Sequence, residues 1–176
     1  MVGFLAERNY SMEIPRAKHL IALNGPSQSG KTQTIKLLVQ YFKRQSAEQI
    51  YKSKKWKEVL EIHQYNDIKI GLSSRSDKIQ QLAESIDFLV LEMDCDLIFT
   101  AVNIKTKGVE ELFKRISVMN VEIIMVEKFP EFCNRALKNH HMELNRGAAS
   151  LLWKTHYSLL NKTKTENILE TTTINI

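Results

Sequence analysis

Residues 20–32 read LIALNGPSQSGKT, and this stretch decides how the rest of the chain is read. A short apolar run, His19–Asn24, leads directly into Gly25-Pro26-Ser27-Gln28-Ser29-Gly30-Lys31-Thr32, which fits the pattern G-x-x-x-x-G-K-[ST]. A glycine-containing turn lets successive backbone N–H groups curl around a phosphate, and a helix starting there aims its positive end at the same anion. In this pattern the lysine, Lys31, reaches the β- and γ-phosphates, and the hydroxyl of Thr32 completes a Mg²⁺ shell. The context agrees on both sides. Lys31–Arg44 places Ile35, Leu38, Val39 and Phe42 on one face of a helix, so a strand precedes the turn and a helix follows it.

Working outward, residues 45–57 form a basic connector that includes Lys52, Lys54, Lys55 and Lys57. Glu58–Gln64 and Ile68–Ser73 then read as two strands of a hairpin around Tyr-Asn-Asp. Helix signals begin at Ser76-Asp77. The run Phe88-Leu-Val-Leu-Glu92 resembles a buried strand ending in an acid. Its apolar residues argue for helix instead: Ile79, Leu82, Ala83, Ile86, Leu89, Val90 and Met93 fall on one helical stripe, which predicts helix over Asp77–Met93. Next come a strand at Asp96–Val102, a helix at Gly108–Met119 with Val109, Leu112, Phe113 and Ile116 inward, and a strand at Val121–Val126. Helices are expected at Glu131–His141 and Leu144–Leu160, followed by a polar tail over 161–176. This alternation predicts a single α/β domain over residues 1–160. Its three αβα layers surround a mostly parallel sheet of about five strands, one hairpin included.

Composition is that of an ordinary globular chain: 176 residues, 43% hydrophobic and 26% charged, with a formal net charge of +5. No apolar run approaches the ~20 residues needed to cross a bilayer. The first eighteen residues have no continuous apolar core of a signal peptide. Cys95 and Cys133 have no metal-ligand spacing and read as reduced core thiols, so the expected compartment is the cytoplasm. His19, His63, His140, His141 and His156 show no spacing for a metal site or a catalytic triad. The basic stretches Lys43–Lys57 and Lys105–Arg115 read most simply as solvated faces. Nucleic acid is weakly supported as a partner, because Tyr51 and Trp56 are the aromatic candidates in the first stretch.

The spelling GPSQSGKT, the small size and the single-domain layout resemble the P-loop NTPase superfamily, in its nucleotide- and nucleoside-kinase branch. The specific match covers residues 20–32. The resemblance implies ATP and Mg²⁺ at Gly25–Thr32 and transfer of the γ-phosphoryl group to a small-molecule, nucleotide-like acceptor. Adenine is the superfamily's default base, and Asn103-Ile-Lys-Thr is not the N-K-x-D signature of guanine-specific members. Ligands of an open parallel sheet lie beyond the carboxyl ends of its strands. That rule sets aside Asp96 as a connector, and Glu92 and Asp94 as helix-end residues. It selects Asp77 as the acid that orients metal or acceptor, and Arg75 as a charge stabiliser for phosphoryl transfer. Thr100, Asn103, Lys105 and Lys107 are expected near the γ-phosphate or acceptor, with Asn103 and Lys105 binding the nucleotide. The arginine-rich lid of such kinases has no counterpart here, since Arg115, Arg135 and Arg146 are scattered. The competing expectation is a nucleotide-binding switch or weak ATPase acting through a protein or nucleic-acid partner.

Overall fold

The computed structural model describes residues 18–54, 58–76, 78–127, 146–147 and 149–154. Six strands form one sheet: β1 (Lys18–Asn24), β2 (Glu48–Lys52), β3 (Leu60–Tyr65), β4 (Ile68–Ser73), β5 (Leu97–Val102) and β6 (Val121–Glu127). The helices are α1 (Lys31–Arg44), α2 (Ile79–Asp87) and α3 (Val109–Ser117), with a π-helical turn at Phe88–Glu92 that continues α2. The sheet order is β2-β3-β4-β5-β1-β6. β4, β5, β1 and β6 run parallel, while β3 is antiparallel to both β2 and β4. The architecture is therefore α/β with a mixed, mostly parallel sheet.

The two faces of the sheet bury different residues, as the period of two in a strand requires. Ile21 and Leu23 of β1 and Leu97, Phe99 and Ala101 of β5 pack against Ile35, Leu38 and Phe42 of α1. Leu152 and Trp153, in a helical segment at 149–154, join that same core. Leu20, Ala22, Ile98 and Val102 point the other way, onto Leu82 and Ile86 of α2 and Val109, Leu112 and Ile116 of α3. Helices on both faces make three layers.

Residues 88–92 are helical, as the apolar spacing predicts, but the last turn is wound as a π-helix. Gly71 of β4 explains how that turn packs. A Cβ at this position would stand 2.8 Å from Leu89 Cδ2 and 3.2 Å from Cys95 Sγ, so glycine lets the turn settle on the sheet. Burial there pushes the Cys95 thiol up to about 12, which makes it an unreactive core group. The following turn is pinned at the amino-terminal edge of the sheet. Asp96 Oδ2 accepts the Lys69 backbone N–H at 2.7 Å, and the Asp96 N–H donates to the Lys69 carbonyl at 2.9 Å. Asp96 is thus the connector residue expected.

Two expectations need correction. The basic connector contains a strand, β2, which pairs antiparallel with β3 and raises the count from about five to six. Its five residues EQIYK are almost wholly exposed at the sheet's edge, so no alternation of apolar and polar residues marks them. The hairpin strand expected from Glu58 begins at Leu60 and runs through Tyr65. Tyr65 pairs with Ile68 around the two-residue turn Asn66-Asp67, with Asn66 in the left-handed region (φ 54°). The expected helix over Glu131–His141, most of Leu144–Leu160, the tail 161–176, and Trp56, Cys133, Arg135, His140, His141 and His156 lie outside the described residues. Among the described residues no helix is long and apolar enough to cross a membrane.

Candidate functional site

β1 is the point where the chain's path across the sheet divides. From its end the chain turns through α1 toward β2, whereas β6 is reached through α3 on the opposite face and lies on β1's other side. Crevices at such points, beyond the carboxyl ends of the strands, are where open α/β sheets take ligands. Here the crevice is a cleft of about 380 Å³ whose lining includes Ser27, Gln28, Gly30, Thr32 and Gln33, with Ser76 from the connection after β4.

The loop 25–30 owes its shape to two left-handed residues flanking Ser29: Gln28 at φ 62° and Gly30 at φ 84°. Glycine takes this conformation without cost, while Gln28 takes it against the usual preference of a residue with a Cβ. Alternation of this kind turns backbone N–H groups toward a common centre. Gly30 caps α1 and supplies no capping side chain, and the first turn of α1 contains no acid. The amino-terminal N–H groups of α1, with their partial positive charge, therefore face the cleft without a competing carboxylate from their own helix.

Lys31 is buried, with 7% of its surface exposed. Its ammonium donates to the carbonyls of Gly25 at 2.7 Å and Pro26 at 2.6 Å, and lies 3.4 Å from Ser29 Oγ. A buried ammonium must be hydrogen-bonded, and here the loop that surrounds the cleft supplies the acceptors. Thr32 is exposed at the cleft, one position into the helix. Thr34 Oγ1 donates back to the Gly30 carbonyl at 3.1 Å, which fixes the start of α1.

Asn24, which the sequence did not single out, ties the base of the loop to both neighbouring strands. Its Nδ2 donates to Glu127 Oε1 at the end of β6 (2.8 Å), and its Oδ1 accepts the Ile104 N–H beyond β5 (2.9 Å). An asparagine is suited to this bridge because one amide carries both a donor and an acceptor.

The other expected residues are distributed as follows. Asn103 follows β5 and accepts the Lys105 N–H at 3.2 Å, with Lys105 and Lys107 exposed on the same loop. None of these three lines the cleft described above. Thr100 does not stand at the end of β5. It is fully buried within the sheet, opposite Ala22 on one side and Ser73 on the other, because β5 continues two residues beyond it. Arg75 is also buried, and it borders a second cleft of about 390 Å³ with Tyr51, Glu84 and Phe88. Its Nε is 3.8 Å from Glu58 and its Nη2 3.7 Å from Glu84. Asp77 lies outside the described residues. Among the described residues no cluster of His, Cys, Asp and Glu could by itself hold a metal ion.

No protein-family model matches this chain, and no curated protein or solved structure is similar to it.

Proposed function

We propose that the chain is a P-loop nucleotide-binding protein that holds the phosphates of Mg-ATP at Gly25–Thr32 and transfers the γ-phosphoryl group to a small, nucleotide-like acceptor. One observation carries this reading: a buried lysine held by the carbonyls of its own loop, at the uncapped, acid-free start of a helix, beside a cleft at the sheet's carboxyl edge. The backbone N–H groups of the loop and of the first turn of α1 bind phosphate oxygens, and Lys31 exchanges its loop carbonyls for the β- and γ-phosphates. The exposed hydroxyl of Thr32 suits a magnesium ligand, and Asp77 is the acid assigned to orient metal or acceptor. Magnesium, when bound, neutralises charge on the phosphates. Ser76, which borders the cleft, is placed to hydrogen-bond a phosphate or an acceptor hydroxyl.

A second reading is favoured by Arg75. Its pairing with Glu58 and Glu84 in the neighbouring cleft engages the charge that phosphoryl transfer would use. In that reading the chain is a nucleotide-binding switch or weak ATPase.

The readings separate when wild type and Lys31→Ala are incubated with labelled Mg-ATP and a panel of nucleosides, nucleotides and sugars. Labelled acceptor from wild type alone is the expected result. Phosphate release independent of any acceptor selects the second reading. Equal nucleotide affinity in the two proteins overturns the assignment of the loop itself.

A further inference from the structure

Several cations among the described residues gather on α1 and its flanks. Along its fourteen residues, α1 has no Asp or Glu. Beyond the first turn, which borders the 25–32 cleft, its exposed residues Lys36, Gln40, Lys43 and Arg44 recur at helical spacing and form a single outward stripe. Segments distant in sequence extend it on both sides. On one flank Lys36 and Lys43 share a cleft of about 370 Å³ with Lys52 of β2. On the other, Arg44 shares a cleft of about 210 Å³ with Arg146.

Two carboxylates also line the first cleft. Glu61 is buried, 3.6 Å from Lys43 and 3.5 Å from Lys52, with His63 Nε2 at 3.2 Å. Glu58 is engaged with Arg75. Among the described residues the two clefts thus gather Lys36, Lys43, Lys52, Arg44 and Arg146, and the carboxylates lining them are Glu58 and Glu61.

We infer that this face of α1 binds duplex nucleic acid through its sugar–phosphate backbone, without reading base sequence, at a site separate from the 25–32 cleft. Lys36 and Lys43 lie two helical turns apart, about 10.5 Å at 1.5 Å per residue. Their flexible four-carbon stems let the two ammoniums meet different phosphates of one backbone. Gln40, between the cations, supplies an amide donor of the kind that contacts phosphate and sugar oxygens. The stripe is polar throughout, whereas a helix lying on an anionic membrane needs an apolar side to insert. Among the described residues of the stripe's surroundings, Tyr41 is half-buried and packed near Phe42 and Trp153, which leaves charge rather than a stacking platform for unpaired bases.

The test is fluorescence anisotropy of the full chain with a labelled 20-base-pair DNA duplex, repeated on a second, unrelated sequence, between 50 and 200 mM salt. Five phosphate contacts give a slope of log K against log salt of about −4.5, hence a loss of roughly 500-fold in affinity over that range. The double variant Lys36→Gln/Arg44→Gln leaves the Glu61 cluster intact and is expected to bring the slope near −3 for both duplexes. Circular dichroism and an unchanged melting temperature establish that the variant is folded. Excess Mg-ATP is expected to leave binding unchanged. The inference is overturned by absence of duplex binding at 50 mM salt, by an unchanged slope in the folded variant, or by displacement with Mg-ATP. Capture by phosphatidylserine vesicles without capture of duplex also overturns it. Because α1's outer face and the cleft are tested by different variants, failure here leaves the nucleotide reading standing.

Discussion

The two ends of the sheet use lysine in opposite ways. At the amino-terminal edge, Lys18 donates to the Val90 carbonyl at 2.9 Å and meets Asp94 at 2.6 Å, while Lys69 donates to the Met93 carbonyl at 2.8 Å. Those carbonyls close the helical run that begins with α2, where the orphan acceptors and the negative end of the dipole call for cations. The Lys18 ammonium in turn holds the Asp94 carboxyl below its usual range, chiefly through their hydrogen bond. At the carboxyl-terminal edge, Lys31 donates to carbonyls of a six-residue loop that surrounds a cleft, beside the positive end of α1. Lysines at the first end complete the protein's own hydrogen bonding. The lysine at the second sits where an anion can take over its partners. Burial and bond length alone do not separate these cases; the sign of the neighbouring helix end does.

The contrast breaks or holds on separate measurements. The largest expected effect is at the carboxyl edge. Lys31→Ala should weaken ATP about 10- to 100-fold, the loss of a charge-assisted contact worth about 1.5–3 kcal/mol. It should leave the melting temperature near that of wild type, as isothermal titration and thermal melts would report. A collapse in stability with unchanged affinity would reverse the comparison. Gly71→Ala should destabilise by about 1–3 kcal/mol in urea unfolding, because its Cβ overpacks Leu89 and Cys95 beneath the amino-terminal turn. Nucleotide affinity should stay at the wild-type level. Lys69→Met removes the cation at Met93 while keeping the backbone bonds to Asp96, for a loss of about 1 kcal/mol, again without effect on nucleotide. A measurable fall in ATP affinity for Lys69→Met would show the two ends to be coupled.

The smallest effect belongs to His63, on a strand between the ends. Burial lowers its pKa, outweighing the opposing pull of Glu61. The unfolded chain therefore takes up a proton near pH 6.5 that the folded protein does not. Stability falls as pH drops through that value and levels off below the folded pKa. The melting temperature should drop between pH 7.5 and 5.5, and by less in His63→Gln. An equal drop in both proteins would remove His63 from the account.

The parallel core was legible because its signals are local and redundant. β1 and α1 are announced together by an apolar run, a glycine turn and a helical stripe. The same periodicity identified Phe88–Glu92 as helix despite its strand-like composition. Its π winding was not legible, since the apolar spacing marks a helical stripe without distinguishing the hydrogen-bond register of its last turn. β2 was missed because an exposed edge strand carries no burial pattern. Thr100 was assigned to the sheet's carboxyl edge because the register that buries it opposite Ala22 is a property of paired strands. Asn24 lay inside the apolar run and drew no attention. A polar residue ending a buried strand is the signal that could have found it.

The edge strand β2 has one more consequence. Gln49 pairs with His63 and Tyr51 with Ile62, so Ile50 is left over as a bulge in a strand of five residues that ends in Lys52. Short length, a bulge and a terminal lysine are the devices by which sheets discourage a second molecule from adding a strand. Ile50 is exposed, so the bulge leaves an apolar side chain at the rim while bending the backbone ladder beside it. The bulge thus interrupts the ladder at the one point of this strand where an apolar side chain is exposed.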